Sequence, residues 1–263
     1  MAAKGTAVAK AKINLPTDVN ASMAAEVAEI QKRISAPSGD RITATQSKTF
    51  KLSNGLEVDE FEAIVVDFAA ANYYYTEAFD RDNIVPPACF SISLEPAGMV
   101  PSVSVLEPQG GACASCWANQ WKSSGKGKAC QNTRLLAILP TDADSETGLS
   151  VLKISPTAVK AFDGLVANTA RIHNMPIRAI KVKFFFNREE EYATIRFTDA
   201  GLAPKDLVLL ANSRKAEALE RLLVEPNVTA ANDNVGNQKP SGRGKTVSKP
   251  APRGKTSGSG ARA

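Results

Sequence analysis

Arg134-Leu-Leu-Ala-Ile-Leu139, Leu149-Ser-Val-Leu-Lys-Ile154, Ser155-Pro156 running to Arg171, Ile177 to Phe186 and Tyr192 to Phe197 follow one another over some 60 residues. The first two are short, largely apolar runs and read as strands, separated by the acidic loop Asp142 to Glu146. Ser155 stands where a helix cap is needed and Pro156 at the first helical position. Val159, Phe162, Leu165 and Val166 then recur at helical spacing. The last two runs pair as a hairpin across Asn187-Arg-Glu-Glu-Glu191. Strand, strand, helix, strand, strand is the order of the later part of an OB-fold, in which a helix bridges strands three and four. An α+β sheet with helices on one face would give the same order.

Working outward, Phe61-Glu-Ala-Ile-Val-Val-Asp-Phe-Ala-Ala70 is apolar enough for a central strand and can serve as the first of the barrel. It runs into Tyr73, Tyr74 and Tyr75, which read as core or strand end. Phe50 to Val58 reads as a hairpin turning at Asn54-Gly55, and Lys205 to Val224 as a closing helix stopped by Pro226. Ser22 to Ile34 has a Ser cap, early glutamates and late basic residues, the order that suits a helix dipole. The expected fold class is therefore α+β and mostly β: an OB-fold-like barrel over 21–226, with a disordered N-terminus (1–20) and a disordered basic tail (227–263).

The chain has 263 residues and a net charge of +5. The tail holds Lys239, Arg243, Lys245, Lys249, Arg253, Lys255 and Arg262 against Asp233, a net +6 that leaves the other 226 residues at −1. Any nucleic-acid site on the body must then be a local patch. No run of 18 apolar residues exists and no secretory h-region opens the chain. The expectation is a cytoplasmic protein with no membrane partner, located in the host cell if the chain comes from a virus. A reducing compartment leaves cysteines unpaired. The single histidine, His173, argues against His-based metalloenzymes and reads as a helix cap or surface residue. Gly125-Lys-Gly-Lys128 and the Gly-Lys-Thr triplets of the tail lack the first glycine of a phosphate-binding loop and follow no buried strand.

Regular patterning lapses over 80–131, which holds five prolines and all four cysteines. A stretch that long inside a domain needs another source of order. Cys113-Ala-Ser-Cys116 is a knuckle in which two thiolates can grip one ion, and Cys89 and Cys130 flank it. Four thiolates without a spare fit a closed tetrahedral structural zinc site; an iron–sulfur cluster or unliganded thiols remain the alternatives. The segment then reads as a zinc-bound insertion between strands one and two.

Both tryptophans, Trp117 and Trp121, lie inside it with Lys122, Lys126 and Lys128, and Arg134 follows. They offer stacking faces and phosphate contacts to a nucleic acid, or the tryptophans pack over the knuckle. In Ile180-Lys-Val-Lys-Phe-Phe-Phe186, Lys181, Lys183 and Phe185 share one face, and Tyr192, Thr194 and Arg196 alternate on the partner. This is a second basic face with aromatics, either a single-strand platform or a solvated sheet surface whose aromatics pair across strands.

Pro86-Pro-Ala-Cys89, Pro108-Gln-Gly-Gly-Ala-Cys-Ala-Ser-Cys116, Asn119, Gly125-Lys-Gly-Lys-Ala-Cys130 and Arg134-Leu-Leu-Ala-Ile138 resemble a family of tailed-bacteriophage proteins met among replication genes. The likeness extends over 50–198. It implies, by analogy with phage single-stranded DNA-binding proteins of zinc-containing OB-fold, a non-enzymatic DNA binder in phage replication or recombination, with no small-molecule substrate. Its protein partners would be other members of that replication or recombination system. Such proteins usually end in an acidic tail, whereas this tail is basic. The alternative is a zinc-stabilised interaction or regulatory protein that binds a polymerase or another replication partner. A nuclease is the weakest reading, because no acidic motif clusters at helical or strand spacing.

Overall fold

The computed structural model describes residues 41–77 and 85–226, together with Met23 and Glu26, both helical. The expected helix over 22–34, the N-terminal segment 1–20 and the tail 227–263 otherwise lie outside the described residues. The architecture is a mixed α+β one dominated by a strongly curled, half-barrel sheet. Nine strands run in chain order: β1 Arg41–Ala44, β2 Phe50–Lys51, β3 Glu57–Val58, β4 Glu60–Tyr74, β5 Cys89–Ser93, β6 Cys130–Pro140, β7 Ser150–Ile154, β8 Ile180–Phe186 and β9 Ile195–Leu202. Among the fully described segments the α-helices are α1 Pro156–His173, α2 Lys205–Ser213 and α3 Lys215–Leu222. Among the described residues no helix is long and apolar enough to cross a membrane.

The sheet runs β3-β2-β1-β7-β6-β4-β8-β9, with β5 also on β4. β4 is its organising element. It pairs with β6 from Ala63 to Tyr74, while its other side is shared by β8 at Glu60–Ala63 and β5 at Ala70–Tyr74. The register shifts between Val65 and Asp67, a bulge that puts two residues of β4 opposite one of β6. Side chains change phase there, so Ala63, Val65 and Phe68 all reach the inner core while Ile64 and Val66 are buried on the other face. β7 takes β1 as a parallel neighbour, Ile42 opposite Leu152. Among the described residues β7 and β9 do not pair, so the sheet curls without closing through those strands.

The inner core joins Phe50, Leu136, Ile138, Leu152, Ile154, Val182 and Phe184 to Phe162 of α1. Phe61 stacks on Phe184 with ring centroids 4.7 Å apart, and Phe50 on Phe186 at 4.4 Å. Such pairs add about 0.5–1.5 kcal/mol beyond burial. The outer face of β4 and β6 is covered in turn by α3, where Ala218 and Leu222 are buried. This double cover is why Leu135 to Leu139 is continuously apolar rather than alternating.

Several local expectations shift. The 50–58 hairpin forms with Phe50 opposite Val58, and Gly55 at φ 83° makes its turn. The stretch expected to be irregular contains β5. Ile177–Ala179 is a 3₁₀ turn after Pro176 rather than the start of β8, and β9 begins at Ile195, three residues later than expected. The closing helix is two helices, because Ser213 Oγ donates to the Leu210 carbonyl and Arg214 leaves the helical region at ψ 4°. Ser155 occupies the cap position of α1, but its hydroxyl bonds Thr157 Oγ1 and caps no backbone amide.

Candidate nucleic-acid interface and thiol cluster

The connection from β4 to β6 carries the cysteines. β5 brings Cys89 opposite Tyr74, and β6 brings Cys130 opposite the same Tyr74, so two of the four thiols are fixed by sheet register. Cys113 and Cys116 arrive on the loop between. Their knuckle is held by Cys113 N–H donating to the Met99 carbonyl (2.9 Å), Asn119 Nδ2 to the Cys113 carbonyl (2.7 Å) and Gln120 Nε2 to the Ala114 carbonyl (2.9 Å). Cys89, Cys113, Cys116 and Cys130 line one cavity of about 20 Å³, roofed by Phe90, Pro101 and Ala118. None is in a disulfide. Among the described residues no three His, Cys, Asp or Glu side chains are drawn together at ligand geometry, although the four thiols line one small cavity.

Burial pushes the Cys130 thiol up to about 12, the neighbouring Cys113, Cys116 and Cys89 add to this, and Lys128 opposes it. Burial likewise raises Cys89, against a backbone N–H donated by Gln109. Gly110 is tightly packed: a Cβ there would lie 3.3 Å from both Cα and Cβ of Cys116, which would have to give by a few tenths of an ångström. Gln109 and Gly110 were visible only as part of a Pro-Gln-Gly-Gly run; nothing in the spacing showed that they back the cluster.

Trp117 begins a 3₁₀ turn and packs edge-on against Tyr74, centroids 5.5 Å apart, with 40% of its surface exposed. Trp121 is 69% exposed. Lys122 stands at φ 70° and Gly125 at φ 85°, so the backbone turns sharply at Lys122 and again just before Lys126. No ion pair involves Lys122, Lys126 or Lys128 among the described residues. Lys128 donates to Asn119 Oδ1 (3.1 Å) and Asn132 Oδ1 (3.0 Å).

The hairpin is different. Its faces divide as the alternation predicts, with Lys181, Lys183 and Phe185 half-buried on one and the core on the other. The expected free basic face, however, is neutralised. Lys181 pairs with Glu62 (3.2 Å) and Lys183 with Glu60 (2.7 Å), both across the β4–β8 register. Arg196 pairs with Glu190, and Arg188 with Asp59 (2.7 Å). Alternation of one strand cannot reveal which strand lies beside it, and β4 supplies glutamates at the required spacing. Arg134 is also taken: its guanidinium forks onto Asp163 of α1 at 3.2 and 2.9 Å, clamping the helix to the sheet. Tyr192 lies in the β8–β9 loop, 74% exposed. His173 ends α1 and bonds Asp199 Oδ2 at 3.0 Å.

The two patches stand at opposite ends of β4, Cys130 opposite Tyr74 and Phe185 opposite Glu60. That is about 46 Å of strand path. Compared with protein-family models, curated proteins and solved structures, the chain has no match in any of the three.

Proposed function

We propose that this chain is a non-enzymatic, sequence-tolerant single-stranded DNA-binding protein whose contact surface is the cysteine loop. The observation that carries this reading is the pairing of exposed Trp117 and Trp121 with the ion-pair-free Lys122 and Lys126 on one loop. Stacking on an exposed ring contributes about 1–3 kcal/mol per base, and each lysine neutralises a phosphate. Cys89, Cys113, Cys116 and Cys130 would hold a structural Zn²⁺ as thiolates, replacing the apolar core that this loop lacks.

The strand path supports an OB-like assignment. β4, β6, β7, β8 and β9, with α1 between β7 and β8, take the neighbour relations of strands one to five, except that β1 stands where strand five would close on strand three. In that scheme the Trp loop joins strands one and two and the Tyr192 loop joins strands four and five, the two loops with which OB-folds hold oligonucleotides. A role in phage replication or recombination rests on the resemblance of the cysteine signature.

The test is titration of labelled oligo(dT) and duplex DNA into the full chain and into a chain ending at Pro226, at two salt concentrations, with metal analysis of both. Expected are about one zinc per chain and single-strand binding that survives truncation. Binding that vanishes with the tail would transfer the function to the tail, leaving the folded body a zinc-stabilised interaction module. Val103 and Leu106, almost fully exposed on the same loop, would be the place to look for its partner.

A further inference from the structure

The outer face of the sheet carries two cations that no described carboxylate neutralises. Parallel pairing sets Arg41 opposite Val151, so Arg41 and Lys153, two residues on, project from the same face of adjoining strands. Lys153 lies opposite Leu135 of β6, and its Nζ stands 4.1 Å above the Tyr73 ring. A ring face is the only partner of that ammonium in the described structure. Burial lowers the Lys153 pKa, and the Arg41 charge lowers it further.

The carboxylates that might have balanced this pair are elsewhere. Glu60 and Glu62 hold Lys183 and Lys181. Asp163 holds Arg134 on the inner side. Glu57 accepts from Thr49, and Asp67, further along β4, accepts the Phe68 N–H. Both residues are exposed, so the pair presents a doubly positive patch that attracts an anion without straining the fold.

We propose that Arg41 and Lys153 form a phosphodiester subsite for single-stranded nucleic acid on the outer face of β1 and β7. This rests on the functional reading above and extends its path. Tyr73 and Tyr74 are consecutive on β4 and face opposite sides, Tyr74 against Trp117 and Tyr73 beneath Lys153. The tryptophan loop and the Arg41–Lys153 pair thus lie on opposite faces near the same end of β4, and a strand that touches both must pass around the rim of the sheet. Tyr73, 6% exposed, serves to seat the lysine rather than to stack a base.

The test compares the full-length protein with Arg41→Gln, Lys153→Met and the double variant, measuring oligo(dT) affinity from 50 to 200 mM salt, with thermal melts alongside. Each phosphate contact contributes a salt slope of about −0.7 for single strands. The double variant should flatten the slope by about 1.4 and weaken binding about tenfold at low salt, with an unchanged melt. Lys181→Gln with Lys183→Gln, whose cations are paired, should leave the slope as it is. A double variant that is folded and keeps the wild-type slope overturns the subsite alone. Wild-type protein that does not bind oligo(dT) overturns the functional reading and the subsite together. Complete competition by millimolar inorganic phosphate in wild type, absent in the double variant, would make the pocket a free-anion site and overturn its assignment to a nucleic-acid backbone.

Discussion

The cysteine loop holds itself with side-chain-to-backbone hydrogen bonds around four thiols, whereas the closing hairpin holds itself with stacked phenylalanines and lysine–glutamate pairs. Both are basic and aromatic in sequence. In the hairpin Phe184 and Phe186 entered the core and Phe185 is half-buried, while Lys181 and Lys183 found partners on β4 and Arg196 on Glu190. In the loop both tryptophans stay exposed, and no lysine has a carboxylate beside it. An element stabilised by a sheet tends to absorb its own polar and apolar groups into that sheet. A loop that could be fixed by one metal ion keeps its surface groups free for a ligand. The contrast turns on what supplies the folding energy.

Removing that source from the loop is the strongest way to break the comparison. A metal bound at a thousand times its dissociation constant stabilises by about 4 kcal/mol. A chelator, or Cys116→Ser, should therefore lower the melting temperature by about 8–16 °C for a domain of this size and abolish oligo(dT) binding. An unchanged melt and full binding in metal-free protein would remove zinc from the account. On the hairpin side, Phe184→Ala should cost about 3–5 kcal/mol in denaturant unfolding, because a fully buried ring leaves a cavity, yet the surviving folded fraction should bind normally. A specific binding defect there would restore the hairpin as a contact surface.

Smaller changes sharpen the contrast. Trp121→Ala should weaken oligo(dT) binding by about 1–3 kcal/mol with no loss of stability, as its ring is largely exposed. Fluorescence quenching of this tryptophan on titration gives a direct check. Lys126→Gln should reduce the salt slope by about 0.7. Smallest of all, Lys183→Gln should change stability by less than about 1 kcal/mol, since its partner Glu60 is largely exposed, and should leave the salt slope untouched.

Legibility in the sequence followed the range of the interaction. The strand–strand–helix–strand–strand order, the Asn54-Gly55 turn and the division of β8 into two faces were readable, because each depends on residues within a few positions of one another. β1 was missed: Arg41-Ile-Thr-Ala44 is too short to show a pattern and exists as a strand by pairing with β2 and β7. The helix break at Arg214 was missed because Leu207, Ala211, Ala218 and Leu222 keep the helical period straight through it. In the candidate site, the four cysteines and the tryptophan–lysine cluster stood out by residue type. Lys153, alone in an apolar strand, gave no signal.

By itself, then, the sequence determined the main strands and the long helix, that 80–131 lacks an ordinary core, and that the thiols are the groups available to order it. These follow from local propensity and from counting side chains. Tertiary structure alone decided which cations are free. Lys181 and Lys183 are neutralised, and Arg41 and Lys153 are left together, because the β4–β8 and β1–β7 registers bring residues distant in the chain side by side. Coulomb interactions and desolvation depend on distance in space, not on separation along the sequence.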